Sequence, residues 1–252
     1  MAGDRMSAAP SLRVFDTPEE LAQRLADWIV ERIGARSGRT ALCLSGGATP
    51  QRLYELLGAA PRRDRIPWAR THCFWGDERF VPSDDARNNF RMAREALLQH
   101  VPIPADNIFA IPTDRGSAAD AAAEYERTLK RFYRADALEP GRPLFDLTLL
   151  GLGEDGHIAS LFPNSPALAE TQQWAVPVSG QGGAVDRVTL TYPALASSAA
   201  TVFLVAGERK RAVLSRLRAG DPALPAAHLR PAGEFLLFAD RAAAAAPALS
   251  GA

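Results

Sequence analysis

Apolar positions recur along the chain in two alternating rhythms, one helical and one of short buried runs. After Thr17-Pro-Glu-Glu20, a capping box with proline at the first helical position, Leu21, Leu25, Trp28, Ile29 and Ile33 return on one helix face, and Gly34 ends the pattern. The run TALCL (40–44) then reads as a buried strand, SGGATP (45–50) as a turn, and QRLYELL (51–57) as a helix stopped by Gly58. The same unit repeats: THCFW (71–75) is a strand, a polar loop runs through Asn89, and FRMAREALLQH (90–100) is a helix closed off by Pro102. A long helix is expected from Ser117 to Arg134, followed by strands at FDLTLLGLG (145–153), RVTLTY (187–192) and ATVFLVAG (200–207). The helix ERKRAVLSRLR (208–218) and a last strand EFLLFAD (234–240) complete the pattern. Strands alternating with helices predict a doubly wound α/β fold, one domain with a mostly parallel sheet covered by helices on both faces. The domain is expected over 11–241; residues 1–10 and the alanine-rich 242–252 lack the periodicity needed for docking and are expected to be mobile.

Composition narrows the functional classes. In 252 residues Lys+Arg and Asp+Glu both total 29, so no charge excess recommends nucleic acid or an anionic membrane surface as partner. No apolar run approaches a membrane span and the N-terminus lacks the apolar core of a signal peptide, which leads to the expectation of a cytoplasmic protein. Cys43 and Cys73 each sit inside an apolar strand and are expected to be small core residues rather than a disulfide. Only two basic residues are lysines: Lys130 lies one helical turn after Glu126, whereas Lys210 has no such partner in sequence.

In a parallel sheet, ligands bind outside the carboxyl ends of the strands, and the unusual residues cluster there. After TALCL comes Ser45-Gly46-Gly47; after THCFW comes Asp77-Glu78-Arg79; after FDLTLL comes Asp155-Gly156-His157; after ATVFLVA come Gly207 and Lys210. Gly46-Gly47 opens a helix with bare backbone N–H groups, which suits a phosphate and equally suits a plain tight turn; Arg79 and Lys210 favour the phosphate. Gly151, Gly153 and Gly156 spell the glycine pattern of a dinucleotide site, but Pro163 leaves too little helix and no acidic residue ends the following strand-like WAVPV. His157 has no second histidine or cysteine pair beside it, so no metal is expected. A nucleophile elbow is absent, and Ser45 and Ser160 stand in the wrong contexts. His157 on a strand-end loop with Asp155 two residues before it reads either as a structural histidine or as a general base, and its setting favours the base.

Taken jointly, SGGATP, DERFVP followed by Asn88-Asn89, GLGEDGHIASLFP, RVTLTYPAL and VAGERKR resemble the 6-phosphogluconolactonases of the pentose phosphate pathway, in the family's order and from about residue 12 to 240. The resemblance implies hydrolysis of 6-phospho-D-glucono-1,5-lactone, a small sugar phosphate, without metal or organic cofactor; a monomer or weak homo-oligomer is expected. It further implies that Gly46, Gly47, Arg79 and Lys210 hold the phosphate, that His157 is the base and Asp155 its orienter. Asn89 would bind substrate, and Asp77 and Arg187 would meet sugar hydroxyls or the developing oxyanion. The family commonly has Ser-Asn where this chain has Asn88-Asn89, so an amide replaces a hydroxyl at position 88. Two rival functions remain in view. A glucosamine-6-phosphate deaminase would share D-G-H-I-A but continue as DGHIAFNEP, where this chain reads DGHIASLFP; a sugar-phosphate sensor without catalysis would have no need to keep His157 with Asp155.

Overall fold

The computed structural model describes residues 10–180 and 184–245. In chain order the elements are β1 (Ser11–Phe15), α1 (Pro18–Gly34), β2 (Thr40–Leu44), α2 (Ala48–Gly58), β3 (Thr71–Trp75), β4 (Asp77–Arg79), α3 (Asn89–Ala96), β5 (Ile108–Phe109), α4 (Ala118–Tyr133) and β6 (Leu147–Gly151). They continue with β7 (Ala175–Val178), β8 (Arg187–Leu190), α5 (Tyr192–Ala196), β9 (Ala200–Val205), α6 (Arg211–Arg218), β10 (Glu234–Asp240) and α7 (Arg241–Ala244).

The helices begin where their caps dictate. The Thr17 hydroxyl accepts the Glu20 N–H at 3.1 Å, while the Glu20 carboxylate accepts from Asp16 rather than from Thr17 itself. Ser117 and Asp120 close a reciprocal capping box at the head of α4, which ends at Arg134 in the left-handed conformation. Leu21, Leu25, Ile29 and Ile33 of α1 are fully buried, so the helical rhythm was the core face.

Seven strands form a parallel sheet in the order β1-β10-β9-β6-β2-β3-β5. From β2 the chain moves outward through β3 to β5, then returns beside β2 as β6 and moves outward the other way through β9 and β10. The direction of winding therefore reverses between β2 and β6, which is the doubly wound arrangement expected, with its ligand crevice at the carboxyl ends of those two strands. Two buried tyrosines fasten that edge. The Tyr54 hydroxyl from α2 donates to the Ser45 carbonyl and accepts the Ser45 N–H, at 2.8 and 2.9 Å, just past β2. The Tyr125 hydroxyl from α4 makes the same pair of bonds with Trp75 at the end of β3, at 2.9 and 2.8 Å.

RVTLTY is a strand but not of this sheet. Arg187–Leu190 is the centre of a separate antiparallel sheet, β4-β8-β7, on which α4 packs. The handover occurs at Gly76, whose N–H donates to Leu44 in the large sheet while its carbonyl accepts from Leu190 in the small one. Hydrophobic alternation announces a strand without naming its neighbour, because the ladder partner lies far away in sequence. β1 and β5 were not anticipated, the first being a partly exposed edge strand and the second only two residues long. At the other end, α7 spans Arg241–Ala244 and buries Ala243. The expectations for 1–9 and 246–252 lie outside the described residues.

Candidate active site

The crevice at the reversal point is flanked by the loops after β2 and β6. On the β2 side, Gly47 is the N-cap of α2 with φ 108° and ψ 167°, backbone that side chains rarely adopt, and no side chain caps the helix. The first-turn N–H groups of α2 are left without a side-chain acceptor and can donate to an anion. Gly46 is required for a different reason: a Cβ there would overlap the Asn89 carboxamide. That carboxamide is buried and donates from Nδ2 to the Asp77 carbonyl at 3.0 Å. Gly46, Asn89 and Asp77 thus form one contiguous group. Asn88 caps α3 by accepting the Arg91 N–H at 3.0 Å, a task a serine performs equally well, so the amide at this position keeps a capping role.

On the β6 side, the loop is built around close approaches. Gly153 lies against the His157 ring, leaving no room for a side chain, and its N–H donates to the His157 carbonyl at 2.9 Å. Gly156 has φ 86°, and a Cβ there would press on Leu224; its carbonyl accepts the Ala226 N–H at 2.9 Å, which anchors the loop to the segment before β10. The Asp155 carboxylate contacts His157 twice, Oδ1 to Nδ1 at 2.6 Å and Oδ1 to the backbone N–H at 3.1 Å. Burial works to raise the Asp155 carboxyl, but the His157 N–H groups outweigh it and hold the carboxyl below its ordinary range. An ionised carboxylate can only accept, so Nδ1 carries a proton, and in the neutral ring Nε2 is the nitrogen with the lone pair. Nε2 has no hydrogen-bond partner among the described residues. The ring rests on Phe162 with centroids 4.6 Å apart.

The small sheet supplies the third side. Asp77 on β4 is buried; its Oδ2 accepts the Ser160 hydroxyl at 2.6 Å and faces Arg187 of β8 at 3.9 Å. Arg187 lies over the Phe162 ring at 5.3 Å, so His157 and Arg187 meet the same aromatic side chain. Arg79, opposite Arg187 in the ladder, donates to the Arg87 carbonyl at 2.6 Å and keeps a buried Nε without a partner among the described residues. A cleft of about 650 Å³ is lined in part by Phe162, Ser165 and Val178, and of the expected site residues only Asp155 and Arg187 line it. A second hollow of about 470 Å³ between α2 and α3 gathers none of the expected site residues.

Lys210 follows β9, the strand beside β6, and forms the N-cap of α6 after Gly207 at φ 94°. Its neighbours are paired, Arg209 with Glu154 of the His157 loop and Arg211 with Glu208, whereas Lys210 has no ion-pair partner among the described residues. Among the described residues Lys210 makes no side-chain hydrogen bond or ion pair to the other expected residues; the order of the strands is what relates it to them. Two further residues belong to the site without a local signal in the sequence. Ser160, out of context as a nucleophile, holds Asp77 through its hydroxyl. Glu78, between Asp77 and Arg79, has a buried carboxylate with three backbone N–H donors around it.

Residues 16–237 match the family described as glucosamine-6-phosphate isomerases/6-phosphogluconolactonase. The chain belongs to this family. Among its relatives, a 6-phosphogluconolactonase of Nostoc sp. is 38% identical over 93% of this chain and 97% of its own. A 6-phosphogluconolactonase of Synechocystis sp. is 40% identical over the same shares. The solved structure of the family member 6-phosphogluconolactonase from Trypanosoma cruzi superposes with a TM-score of 0.82 at 30% identity, covering 95% of this chain and 97% of that one. After D-G-H-I-A this chain continues with Ser160, the residue that anchors Asp77.

Proposed function

We propose that this protein hydrolyses 6-phospho-D-glucono-1,5-lactone to 6-phospho-D-gluconate, a step of the oxidative pentose phosphate pathway. The observation that carries the reading is the His157–Asp155 pair at the reversal point, with Nδ1 committed to Asp155 and Nε2 open. Nε2 takes a proton from water as its oxygen bonds to C1 of the lactone. The tetrahedral adduct then breaks its bond from C1 to the ring oxygen, and the imidazolium returns the proton to that oxygen, leaving the histidine neutral and the acid free to ionise. Such acid and base assistance contributes roughly 10²–10⁴-fold.

The remaining residues divide the substrate between them. Gly46, Gly47, Arg79 and Lys210 take the phosphate, which is remote from C1 and serves to position it. Asn89 shapes that turn, and Asp77 with Arg187 meets the sugar hydroxyls and the oxyanion. No helix among the described residues is long and apolar enough to cross a membrane, and the buried, unpaired Cys43 and Cys73 suit the reducing cytoplasm.

The test is an assay on freshly generated phosphorylated lactone, corrected for spontaneous hydrolysis, beside unphosphorylated gluconolactone. The phosphorylated substrate is expected to be turned over far faster, and Lys210→Ala to raise KM by roughly 10- to 100-fold through loss of a charge-assisted contact. Equal kcat/KM on both lactones would remove the phosphate site, and a rate no faster than background would remove the lactonase.

A further inference from the structure

We infer that Glu78 is a positioning residue for this reaction: its buried carboxylate fastens both ends of the loop 79–89 and so sets the Asn89 contact that shapes the Gly46-Gly47 turn. Oε1 accepts the backbone N–H of Arg79 at 2.9 Å and of Asn89 at 2.7 Å, while Oε2 accepts that of Phe90 at 2.8 Å. Glu78 therefore does two things at once. It closes the loop on its own start, and it occupies the N-terminus of α3, where an acceptor satisfies donors the helix leaves unpaired. The side chain is only 1% exposed, so water cannot take over these bonds.

The consequence runs through Asn89. With its N–H held by Glu78 and its Nδ2 on the Asp77 carbonyl, the Asn89 carboxamide is fixed at both ends against Gly46, at a distance that excludes any Cβ. Arg79 is likewise held at its backbone by Glu78 and at its guanidinium by the Arg87 carbonyl inside the same loop. One carboxylate thus sets the frame for two of the groups assigned to the phosphate side while touching no substrate. His157 and Asp155, on the loop after β6, make no hydrogen bond to Glu78.

This inference rests on the lactonase reading with phosphate at Gly46-Gly47, and the experiment separates the two. Wild-type enzyme is first assayed on phosphorylated and unphosphorylated lactone; absence of a preference for the phosphate defeats that reading before Glu78 is altered. Given the preference, Glu78→Gln, which presents an amide N–H₂ to one of the backbone donors, should raise KM for the phosphorylated lactone roughly 10- to 100-fold with a much smaller change in kcat. The preference over the unphosphorylated lactone and competition by inorganic phosphate should weaken in parallel, and Glu78→Asp should fall between. An unchanged KM, or equal losses of kcat/KM on both lactones, overturns the inference. If Glu78→Gln does not fold, wild-type protein decides: titration with inorganic phosphate should shift the backbone amide NMR signals of Asn89 and Phe90 together with those of Gly46 and Gly47. Movement of the glycines alone overturns it.

Discussion

The carboxylates of Asp155 and Glu78 accept hydrogen bonds of similar length on two sides of one crevice, yet they live in opposite surroundings. Asp155 and His157 are 48% and 32% exposed at the side chain, whereas Asp77 and Glu78 are 6% and 1% exposed as residues. A proton must travel to and from water at His157, so that pair has to stay wet, and an exposed pair of this kind contributes only about 0–1 kcal/mol to stability. The buried carboxylates move no proton in the reaction, and each hydrogen bond that one of them accepts when ionised is worth roughly 1.5–3 kcal/mol. The molecule thus separates the group that reacts from the groups that keep geometry, and uses burial to do so.

His157→Asn should break the wet side most severely, lowering kcat by roughly 10²–10⁴-fold while product affinity and thermal stability stay close to wild type. A few-fold loss measured in steady state would make His157 structural and move the base to Asp77 or Asp155. Asp155→Asn sharpens the comparison with a smaller effect, a kcat loss of roughly 10- to 100-fold. Its amide oxygen can still accept from Nδ1, but the charge that stabilises the imidazolium is gone. Because the pair is half exposed, its melting temperature should barely move, and a large drop would place Asp155 with the buried scaffold.

The smallest expected effect is a pH dependence of stability on the dry side. Burial pushes the Glu78 carboxyl up to about 7, against the pull of the Asn89, Phe90 and Arg79 N–H groups, with Asp77 adding to the rise. Arg79 beside it, Arg187 on β8 and the Tyr125 hydroxyl from α4 complete its titratable surroundings. Since the folded value lies above the ordinary value of 4.5, the fold binds more protons than the unfolded chain between them. The associated stability is complete below about 4.5 and is lost as pH rises through about 7. The melting temperature of wild type relative to Glu78→Gln should therefore fall between pH 5 and 8; parallel curves would mean that Glu78 is ionised throughout.

Features governed by neighbours in sequence could be read directly. Thr17 and Ser117 start helices because their hydroxyls reach a backbone N–H three residues on, and Asp155 meets His157 because the two share one loop. Features governed by distant chain could not. Nothing in RVTL says that it pairs with DER rather than with the parallel strands, since both arrangements present the same alternation. Glu78 was invisible for a related cause: its role depends on the chain returning after the loop to place Asn89 and Phe90 over it. His157 and Lys210 stood out by their places after apolar strands and the resemblance to known lactonases added Arg187, but only the strand order explains why the loops after β2 and β6 share a crevice.

The two tyrosine hydroxyls at the strand ends bear on how the molecule opens. The Ser45 and Trp75 amides sit where β2 and β3 leave the ladder, positions that would ordinarily fray and exchange their hydrogens with solvent early. Tyr54 and Tyr125 are fully buried, and burial is the first cause of the rise that keeps both phenols protonated well past neutrality. The protection of those two amides is therefore tied to displacement of α2 and α4 rather than to local fraying. Exchange at Ser45 and Trp75 becomes a clock for helix detachment, slow in both places and sensitive to denaturant in proportion to the large surface each helix would expose.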